Sequence, residues 1–135
     1  MDDIAAWVAW LSARACDFNA TCCGPGRVLR DRGALEGACG RPFAGFGGHE
    51  LYDTMPAKAV ALLTGVALAH PFDDGNKRTA WAVMGDYLAA FGLECDWQRL
   101  DPCEIETIVI GLITGDVSET DATKWLARHL IALRG

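Results

Sequence analysis

The sequence lacks several signals that would place it in a class at once. Its longest apolar run, residues 57–69, is interrupted by Lys58 and is shorter than the about 20 residues that a membrane-spanning helix needs. The first residues carry acid where a secretory signal carries base. There is no Cys-x-x-Cys and no His-x-x-x-His pair, spacings that are common among zinc ligands. We therefore expect a cytoplasmic protein with no membrane partner.

Positive charge is also scarce. The 135 residues include 12 Lys and Arg against 18 Asp and Glu, a net charge of −6. Because binding to nucleic acid needs a basic surface, we expect no direct nucleic-acid partner. Apolar residues make up 51% of the chain and charged residues 22%, as in soluble globular proteins. The length predicts one domain, residues 1–135, with a core of its own.

The six cysteines form no recognisable framework. In the cytoplasm thiols stay reduced, so disulfides are not expected. Four of the cysteines and His49 could in principle bind zinc, but their spacing matches no common ligand pattern. No spacing supports a metallohydrolase built on His49, His70 and His129 either. We expect the cysteines to be small buried apolar residues: Cys16, Cys22, Cys23, Cys39, Cys95 and Cys103.

Helical periodicity dominates the chain. Apolar spacing and capping residues predict helices over residues 3–15, 33–39, 57–69, 76–91, 102–114 and 119–133. Residues 16–32 are predicted to be a loop, and residues 93–97 an extended segment. Residues 40–50 contain four glycines and a proline, which disfavour a helix and suggest a hairpin. Residues 57–69 and 76–91 are apolar almost all round, so we expect these two helices to be buried at the centre.

Residues 70–79, between the two central helices, suit an anion. The start of a helix presents unpaired backbone N–H groups and a partial positive charge. Gly75 allows close approach of the backbone, and Asn76 adds donors. Lys77 and Arg78 supply a point charge and a planar fork of donors for phosphate oxygens.

Two further residues of this segment add chemistry. Asp74 offers a carboxylate of the kind that binds Mg²⁺ beside phosphates, and the His70 imidazole can accept a proton from a hydroxyl. The same residues are also ordinary for a corner between two helices, with Asn76 as a cap and the cations in solvent. Composition alone leaves both interpretations open.

A longer sequence pattern favours the anion site over the ordinary helix corner, namely His70-Pro71-Phe72-x-Asp74-Gly75-Asn76-Lys77-Arg78-Thr79. It resembles the signature loop of the Fic/Doc superfamily, and specifically of its Doc (death-on-curing) branch. Residues 30–36, followed by Arg41 and Pro42, look like the segment before the family's flap, and residues 125–130 look like its closing helix. The resemblance covers residues 28–131, and residues 1–27 show no clear likeness.

The resemblance implies an all-α fold: a compact helical domain whose central buried helix pair is joined by the signature loop, with a short glycine-rich flap. The flap, residues 41–50, would dock a target segment by backbone pairing. By position, the resemblance assigns roles as follows: His70 is the general base, Phe72 anchors the loop, Asp74 binds Mg²⁺, Gly75, Asn76, Lys77 and Arg78 hold phosphates, and Phe43, Phe46 and Gly47 belong to the docking flap.

The resemblance also bears on the transferred group. Fic proteins that transfer AMP usually have glycine in place of Lys77 and a second arginine where this chain has Trp81. The Doc pattern, with lysine and no second arginine, implies that ATP is held reversed, so that its γ-phosphate faces the hydroxyl. This implies a kinase that uses ATP and Mg²⁺, phosphorylates a threonine of elongation factor Tu and arrests translation. AMP transfer to a protein hydroxyl and a non-catalytic partner-binding module remain alternatives.

The family's self-restraining members carry a Ser/Thr-x-x-x-Glu inhibitory motif, which this chain lacks. The resemblance therefore implies restraint by a second protein, as in a toxin–antitoxin pair of bacterial or phage origin. Antitoxins of this type are partly disordered, fold on the toxin and bind operator DNA, so the toxin itself need not bind DNA.

Overall fold

The computed structural model describes residues 3–24 and 29–134. Within these ranges the helices are α1 (Ile4–Cys22), α2 (Arg32–Gly40), α3 (Met55–Ala69), α4 (Asn76–Ala90), α5 (Pro102–Thr114) and α6 (Glu119–His129). Two short antiparallel pairs accompany them: β1 (Gly45–Phe46) with β2 (His49–Glu50), and β3 (Leu93–Cys95) with β4 (Leu130–Ala132). The predicted all-α fold is confirmed.

Helix α3 is the centre of the molecule. It packs against α2, α4, α5 and α6, and most of its residues between 59 and 67 are buried. Thr54 caps it by accepting a hydrogen bond from the N–H of Ala57, with Pro56 in the first turn. Because α3 is enclosed on several sides, its sequence is apolar nearly all round, as predicted.

Helix α4 is the principal neighbour of α3 and runs to Ala90. Gly92 follows with φ of 77°, a conformation that suits glycine and ends the helix. The predicted central pair, joined by residues 70–75, is therefore confirmed. The candidate base, metal ligand and phosphate-binding residues, which lie between positions 70 and 78, are found where the two helices meet.

The N-terminal helix is longer than predicted. Residues 16–22 were expected to be a loop, but α1 continues to Cys22. The reason is tertiary: buried residues recur every fourth position along α1 and just beyond its end, and they face α2 and α4. They are Trp7, Leu11, Ala15, Asn19 and Cys23. Residues 25–28 of the predicted loop lie outside the described residues.

The C-terminal helix is shorter than predicted. It ends at His129, and residues 130–132 form β4 instead of continuing to residue 133. Their partner is β3, in the segment that was predicted to be extended, with Glu94 opposite Ile131. The backbone N–H of Asp96 also donates to the His129 carbonyl at 2.7 Å. Pairing with a strand elsewhere in the chain thus overrides the local helical pattern.

The glycine-rich segment forms the suggested hairpin. β1 pairs with β2, and Gly47 and Gly48 make the turn with φ of 59° and 81°. A short 3₁₀ turn, Arg41–Phe43, precedes it and was not expected.

The cysteines divide by position. Cys23, Cys39 and Cys95 are buried, as predicted, whereas Cys22 and Cys103 are exposed, so the prediction is wrong for these two. Cys16 is intermediate. In the described part of the chain, no helix has the length and apolar character needed to cross a membrane.

Candidate active site

The candidate site lies on residues 70–75, where α3 ends and α4 begins. His70 follows α3 with φ of 49°, a left-handed conformation that non-glycine residues rarely adopt. Of the residues described, it is the only non-glycine residue with a positive φ. Gly75, just before α4, has φ of 76°, which glycine adopts without steric cost. The chain therefore turns sharply at both ends of the loop.

Phe72 and Asn76 hold the loop from inside. The Phe72 side chain is buried in the core. The buried Asn76 amide accepts a hydrogen bond from the Phe72 N–H and donates one to the Phe72 carbonyl, both at 3.0 Å. Phe72 is thus placed as the implied loop anchor would be. The Asn76 side chain shapes the loop, and its contribution to anion binding would come from its backbone N–H.

Helix α1 supports the loop from behind, through two residues for which the sequence analysis predicted no role at the site. Asn19 is 1% exposed and donates from Nδ2 to the Asp74 carbonyl at 2.9 Å and to the Thr79 hydroxyl at 3.2 Å. Cys23 packs on Gly75, where an added Cβ would lie 2.5 Å from the Cys23 Sγ. Position 75 therefore needs glycine both for its φ and for the close approach of α1.

One pattern in the sequence does indicate that Asn19 is buried. The four-residue spacing of Leu11 and Ala15 continues to it. It places Asn19 on the buried face of a longer α1. A buried asparagine must find hydrogen-bond partners, and backbone carbonyls at a turn are common ones.

A third contact comes from the segment before α2. The Pro71 carbonyl accepts hydrogen bonds from the N–H groups of Arg30 and Asp31, at 2.7 Å and 3.2 Å. Leu29 forms an isolated antiparallel bridge with Phe72. Protein contacts therefore hold the loop on several sides before any ligand binds.

The open side of the loop is a cavity of about 360 Å³. Its walls include the residues predicted for the base, the metal ligand and the phosphate site: His70, Asp74, Gly75, Asn76, Lys77 and Arg78. The side chains of His70, Asp74, Lys77 and Arg78 are exposed. The Thr79 N–H bonds to the Gly75 carbonyl at 2.9 Å, so the N–H groups before it belong to the turn of α4 that has no intrahelical acceptors. The arrangement can receive an anion beside an imidazole.

Asp74 supplies one carboxylate to this cavity. Its Oδ1 atom accepts a hydrogen bond from the Gly75 N–H at 2.7 Å, which orients the carboxylate. Within residues 3–24 and 29–134, no three His, Cys, Asp or Glu side chains come together to hold a metal ion. Mg²⁺ is commonly bound by one or two carboxylates, with phosphate oxygens and water as its other ligands. The donor set fits Mg²⁺ that arrives with phosphates.

The flap is an exposed hairpin whose backbone is tightly paired. Phe46 is 90% exposed, and Gly47 begins the turn after it. Gly45 lies so close to His49 that a Cβ would sit 2.5 Å from the His49 carbonyl oxygen. An exposed short hairpin with a free aromatic side chain can pair with an extended segment of another chain.

Phe43 lies at the base of the flap and not along its exposed part. Its ring is 5.6 Å from the Trp7 ring and 6.0 Å from the Tyr87 ring, between centroids. The structure therefore places Phe43 as an anchor of the flap, while Phe46 is the aromatic side chain available to a partner.

Arg41 fixes the same base to two helices. Its guanidinium donates to the Ala61 carbonyl of α3 at 2.8 Å, to the Tyr52 hydroxyl at 2.6 Å and to Glu119 of α6 at 2.9 Å. The resemblance placed Arg41 only in the pattern before the flap, with no structural role.

Trp81, at the position where AMP-transferring Fic proteins usually have a second arginine, is half-buried in α4. Its ring centroid lies 5.9 Å from that of Trp97 and 6.3 Å from that of Trp125. Aromatic packing therefore holds Trp81, and this position offers no cation to the cavity.

A comparison with protein families agrees with this arrangement. Residues 2–88, more than half of the chain, match the sequence model of the Fic/DOC family. The chain therefore belongs to the Fic/DOC family. The match begins at residue 2, so the likeness reaches further toward the N-terminus than the motifs indicated.

A comparison with curated proteins supports the Doc branch. Toxin Doc of Mycolicibacterium smegmatis is 42% identical to this chain over 66 residues, which are 49% of this chain and 51% of that relative. The matching region thus spans about half the length of the relative.

Proposed function

We propose that the protein is a Doc-like toxin that transfers the γ-phosphate of ATP to a hydroxyl of a translation factor. The observation that carries the proposal is the cavity in which His70 lies beside the first turn of α4, with Lys77 and Arg78. Phosphoryl transfer needs a positioned hydroxyl and a site that holds and neutralises polyphosphate. The likeness to toxin Doc of M. smegmatis supports the assignment as a toxin.

In this proposal His70 accepts the proton of the target hydroxyl while its oxygen attacks the γ-phosphorus. The bond between that phosphorus and the bridging oxygen breaks, and ADP leaves with the bond's electron pair. Lys77, Arg78 and the N–H groups at the start of α4 hold the phosphates. Asp74 would hold Mg²⁺, which neutralises phosphate charge when bound.

Two residues favour phosphoryl transfer over AMP transfer. Lys77 adds a charged amine to the wall of the cavity, and Trp81 leaves the next turn of α4 without a cation. Without the second arginine, nothing at Trp81 attracts the far phosphates that AMP transfer would place there. The orientation of the triphosphate decides which phosphorus faces the hydroxyl.

The target and the inhibitor follow from the family likeness. We propose elongation factor Tu as the target, docked along β1 and β2, and an antitoxin as the inhibitor. The sequence contains no Ser/Thr-x-x-x-Glu inhibitory motif, which supports restraint by a second protein.

A labelling experiment tests the reaction. The protein is mixed with Mg²⁺, elongation factor Tu and ATP labelled at either the γ- or the α-phosphate. We expect label to reach the factor from the γ-position only, and His70→Ala to abolish transfer while ATP binding persists. Lys124→Ala, an exposed substitution on α6, serves as a control that keeps activity. Label from the α-position would support AMP transfer instead.

A growth experiment tests the biological role. Expression of the chain without its antitoxin should arrest growth, and His70→Ala should remove the effect. Harmless expression of a folded wild-type chain that transfers no label would favour the non-catalytic module.

A further inference from the structure

The flap has little to hold its shape by itself. Its strands are joined by two residue pairs, Gly45 with Glu50 and Phe46 with His49, and every residue from 45 to 50 is exposed. A two-stranded hairpin on its own is marginally stable at best in water. The backbone of the flap must therefore be held by contacts made outside the hairpin.

Arg41 makes such a contact across the two ends of the flap. It precedes β1 in the chain, and its guanidinium donates at 2.6 Å to the hydroxyl of Tyr52, which follows β2. The guanidinium carbon also lies 5.6 Å from the centroid of the Tyr52 ring. Between these two residues, the Leu51 N–H donates to the Ala44 carbonyl at 2.9 Å. The pair closes residues 41–52 into a loop, and we call Arg41 and Tyr52 the clasp.

Two helices fix the clasp to the fold. The Arg41 guanidinium donates to the Ala61 carbonyl within α3 at 2.8 Å and to the carboxylate of Glu119, the first residue of α6, at 2.9 Å. Hydrogen bonds between charged groups are stronger than those between neutral groups, and the rigid fork of a guanidinium suits several acceptors at once. Arg41 therefore sets where both ends of the flap lie relative to α3 and α6.

Helix α3 contains a glycine where Arg41 passes over it. A Cβ added at Gly65 would lie 2.8 Å from the Arg41 Cδ and 3.3 Å from the Ala38 Cα. Glycine within a helix is less favourable than alanine. The central helix thus has a residue that costs stability at the point where the arginine needs space, so Arg41 is packed along its stem as well as bonded at its tip.

We propose that Arg41 and Tyr52 are positioning residues for the protein target, acting through the backbone of the flap and through Phe46. This inference rests on the proposed function. A strand that pairs with the flap binds more tightly when the flap is already ordered, because ordering a segment during binding reduces the affinity. The clasp therefore lowers the KM for the target and leaves the chemistry beside His70 unchanged.

The test separates docking of the target from the transfer step. Transfer rates are measured against the concentration of elongation factor Tu, at saturating ATP with Mg²⁺. Tyr52→Phe removes the hydroxyl and keeps the ring, whereas Arg41→Lys keeps the charge and removes the fork. We expect each variant to raise the KM for the target about threefold to tenfold, the effect of one lost hydrogen bond, with kcat and the Kd for ATP unchanged.

Arg14→Lys is the matched control. The Arg14 guanidinium donates to the Asp86 carboxylate at 3.0 Å and 3.4 Å, and this pair joins α1 to α4. The exchange removes the same fork from an ion pair that does not hold the flap, so the KM for the target should stay as in the wild type. Thermal unfolding of every variant accompanies the kinetics.

Hydrogen exchange at the Leu51 N–H measures the order of the flap without any target. Since this N–H bonds to the Ala44 carbonyl inside the clasp, its exchange should be faster in Tyr52→Phe and Arg41→Lys, and unchanged in Arg14→Lys. Tyr52→Phe removes a single oxygen atom, so it tests the clasp even where Arg41→Lys fails to fold.

The possible failures can be told apart. Folded variants with the wild-type KM for the target would overturn the inference, whether or not exchange at Leu51 changes, while the proposed function stands. A fall in kcat at an unchanged KM would place Arg41 in the transfer step and would also overturn the inference. A wild-type chain that transfers no phosphate would overturn the proposed function itself, and exchange at Leu51 would still show whether the clasp orders the flap.

Discussion

His70 combines an exposed imidazole with an unfavourable backbone conformation. Glycine is the usual residue in the left-handed position after a helix, and a residue with a side chain is destabilised there by roughly 1 kcal/mol. His70 has φ of 49° and an exposed imidazole in the wall of the phosphate cavity. Backbone strain of this kind is concentrated at functional sites, so it supports the role proposed for His70.

We predict that His70→Gly is more stable than His70→Ala by about 1 kcal/mol, because glycine relieves the left-handed strain and alanine does not. Urea unfolding of the two variants measures the difference. Neither should transfer phosphate, since both lack the imidazole. Equal stability would contradict the account of strain, and activity in either variant would remove His70 as the base.

Asn19 links α1 to the candidate site. Its amide bonds to the Asp74 carbonyl and the Thr79 hydroxyl, groups on either side of Gly75. Asn19 and Thr79 are both buried, so the Thr79 hydroxyl would lose a hydrogen bond without gaining water if the amide were removed.

We predict that Asn19→Leu, of similar size, lowers the free energy of unfolding by about 1–3 kcal/mol and weakens Mg²⁺–ATP binding. When Asn19→Leu and Thr79→Val are combined, the loss in the free energy of unfolding should be smaller than the sum of the losses in the two single variants, because the two side chains share one hydrogen bond. Ser12→Ala, buried on the same helix, is the control that should leave ATP affinity unchanged. Strict additivity with unchanged ATP affinity would contradict a role at the site.

At the level of elements, the flap has a fixed base and an exposed tip. Arg41 and Phe43 hold its base against α3, α6 and the Trp7 ring. Phe46 projects into solvent from a two-residue strand. The fold thus separates the contacts that place the flap from the side chain that a partner can meet.

We predict that Phe46→Ala reduces phosphorylation of the protein target several-fold while ATP affinity is unchanged. Stability should change by no more than about 0.5 kcal/mol, since the side chain makes little contact with the fold. Target titrations at saturating ATP, with thermal unfolding as the companion measurement, test this. Phe43→Ala serves as the contrasting variant and should destabilise the fold through lost aromatic packing. Unaltered target kinetics in Phe46→Ala would contradict docking through the flap.

At the scale of the whole molecule, burial changes the acidity of several core groups. It raises the pKa of the Cys39 and Cys95 thiols from 9.0 to about 11, and the pKa of Tyr87 from 10.0 to about 12. Burial disfavours the charged form of each group. These side chains stabilise the fold while they stay neutral.

We predict that stability falls as pH rises from about 9 toward 11. In that interval the unfolded chain loses its thiol protons while the folded chain keeps them, so rising pH favours unfolding. Below pH 9 both states bind these protons and the contribution is fully present. Urea unfolding over this range measures the slope.

The control for this prediction compares two cysteines. Cys39→Ala should make the alkaline slope shallower, whereas Cys103→Ser, at an exposed thiol, should leave it unchanged. An identical slope in Cys39→Ala would show that the buried thiol does not drive the loss of stability.

Local patterns predicted the helices that carry their own start and stop signals. Thr54 caps α3 with Pro56 in its first turn, Asp101 caps α5 directly before Pro102, and Gly92 follows the end of α4. The signature loop was also predictable, because its residues lie within one short segment. Residues 16–22 and 130–132 were assigned wrongly, since their structure depends on α4 and β3, which are distant in sequence.

By itself, the sequence determined the helical class, the central helix pair and the loop that holds the candidate site residues, because capping, periodicity and motif are local properties. Only the tertiary structure decided how the loop is held and what lies next to it. Asn19 bonds to Asp74, and Cys23 packs on Gly75, each from more than fifty residues away along the chain, and Ile113 of α5 lines the cavity beside His70. Such contacts form because burying apolar surface and satisfying buried polar groups are properties of the whole fold.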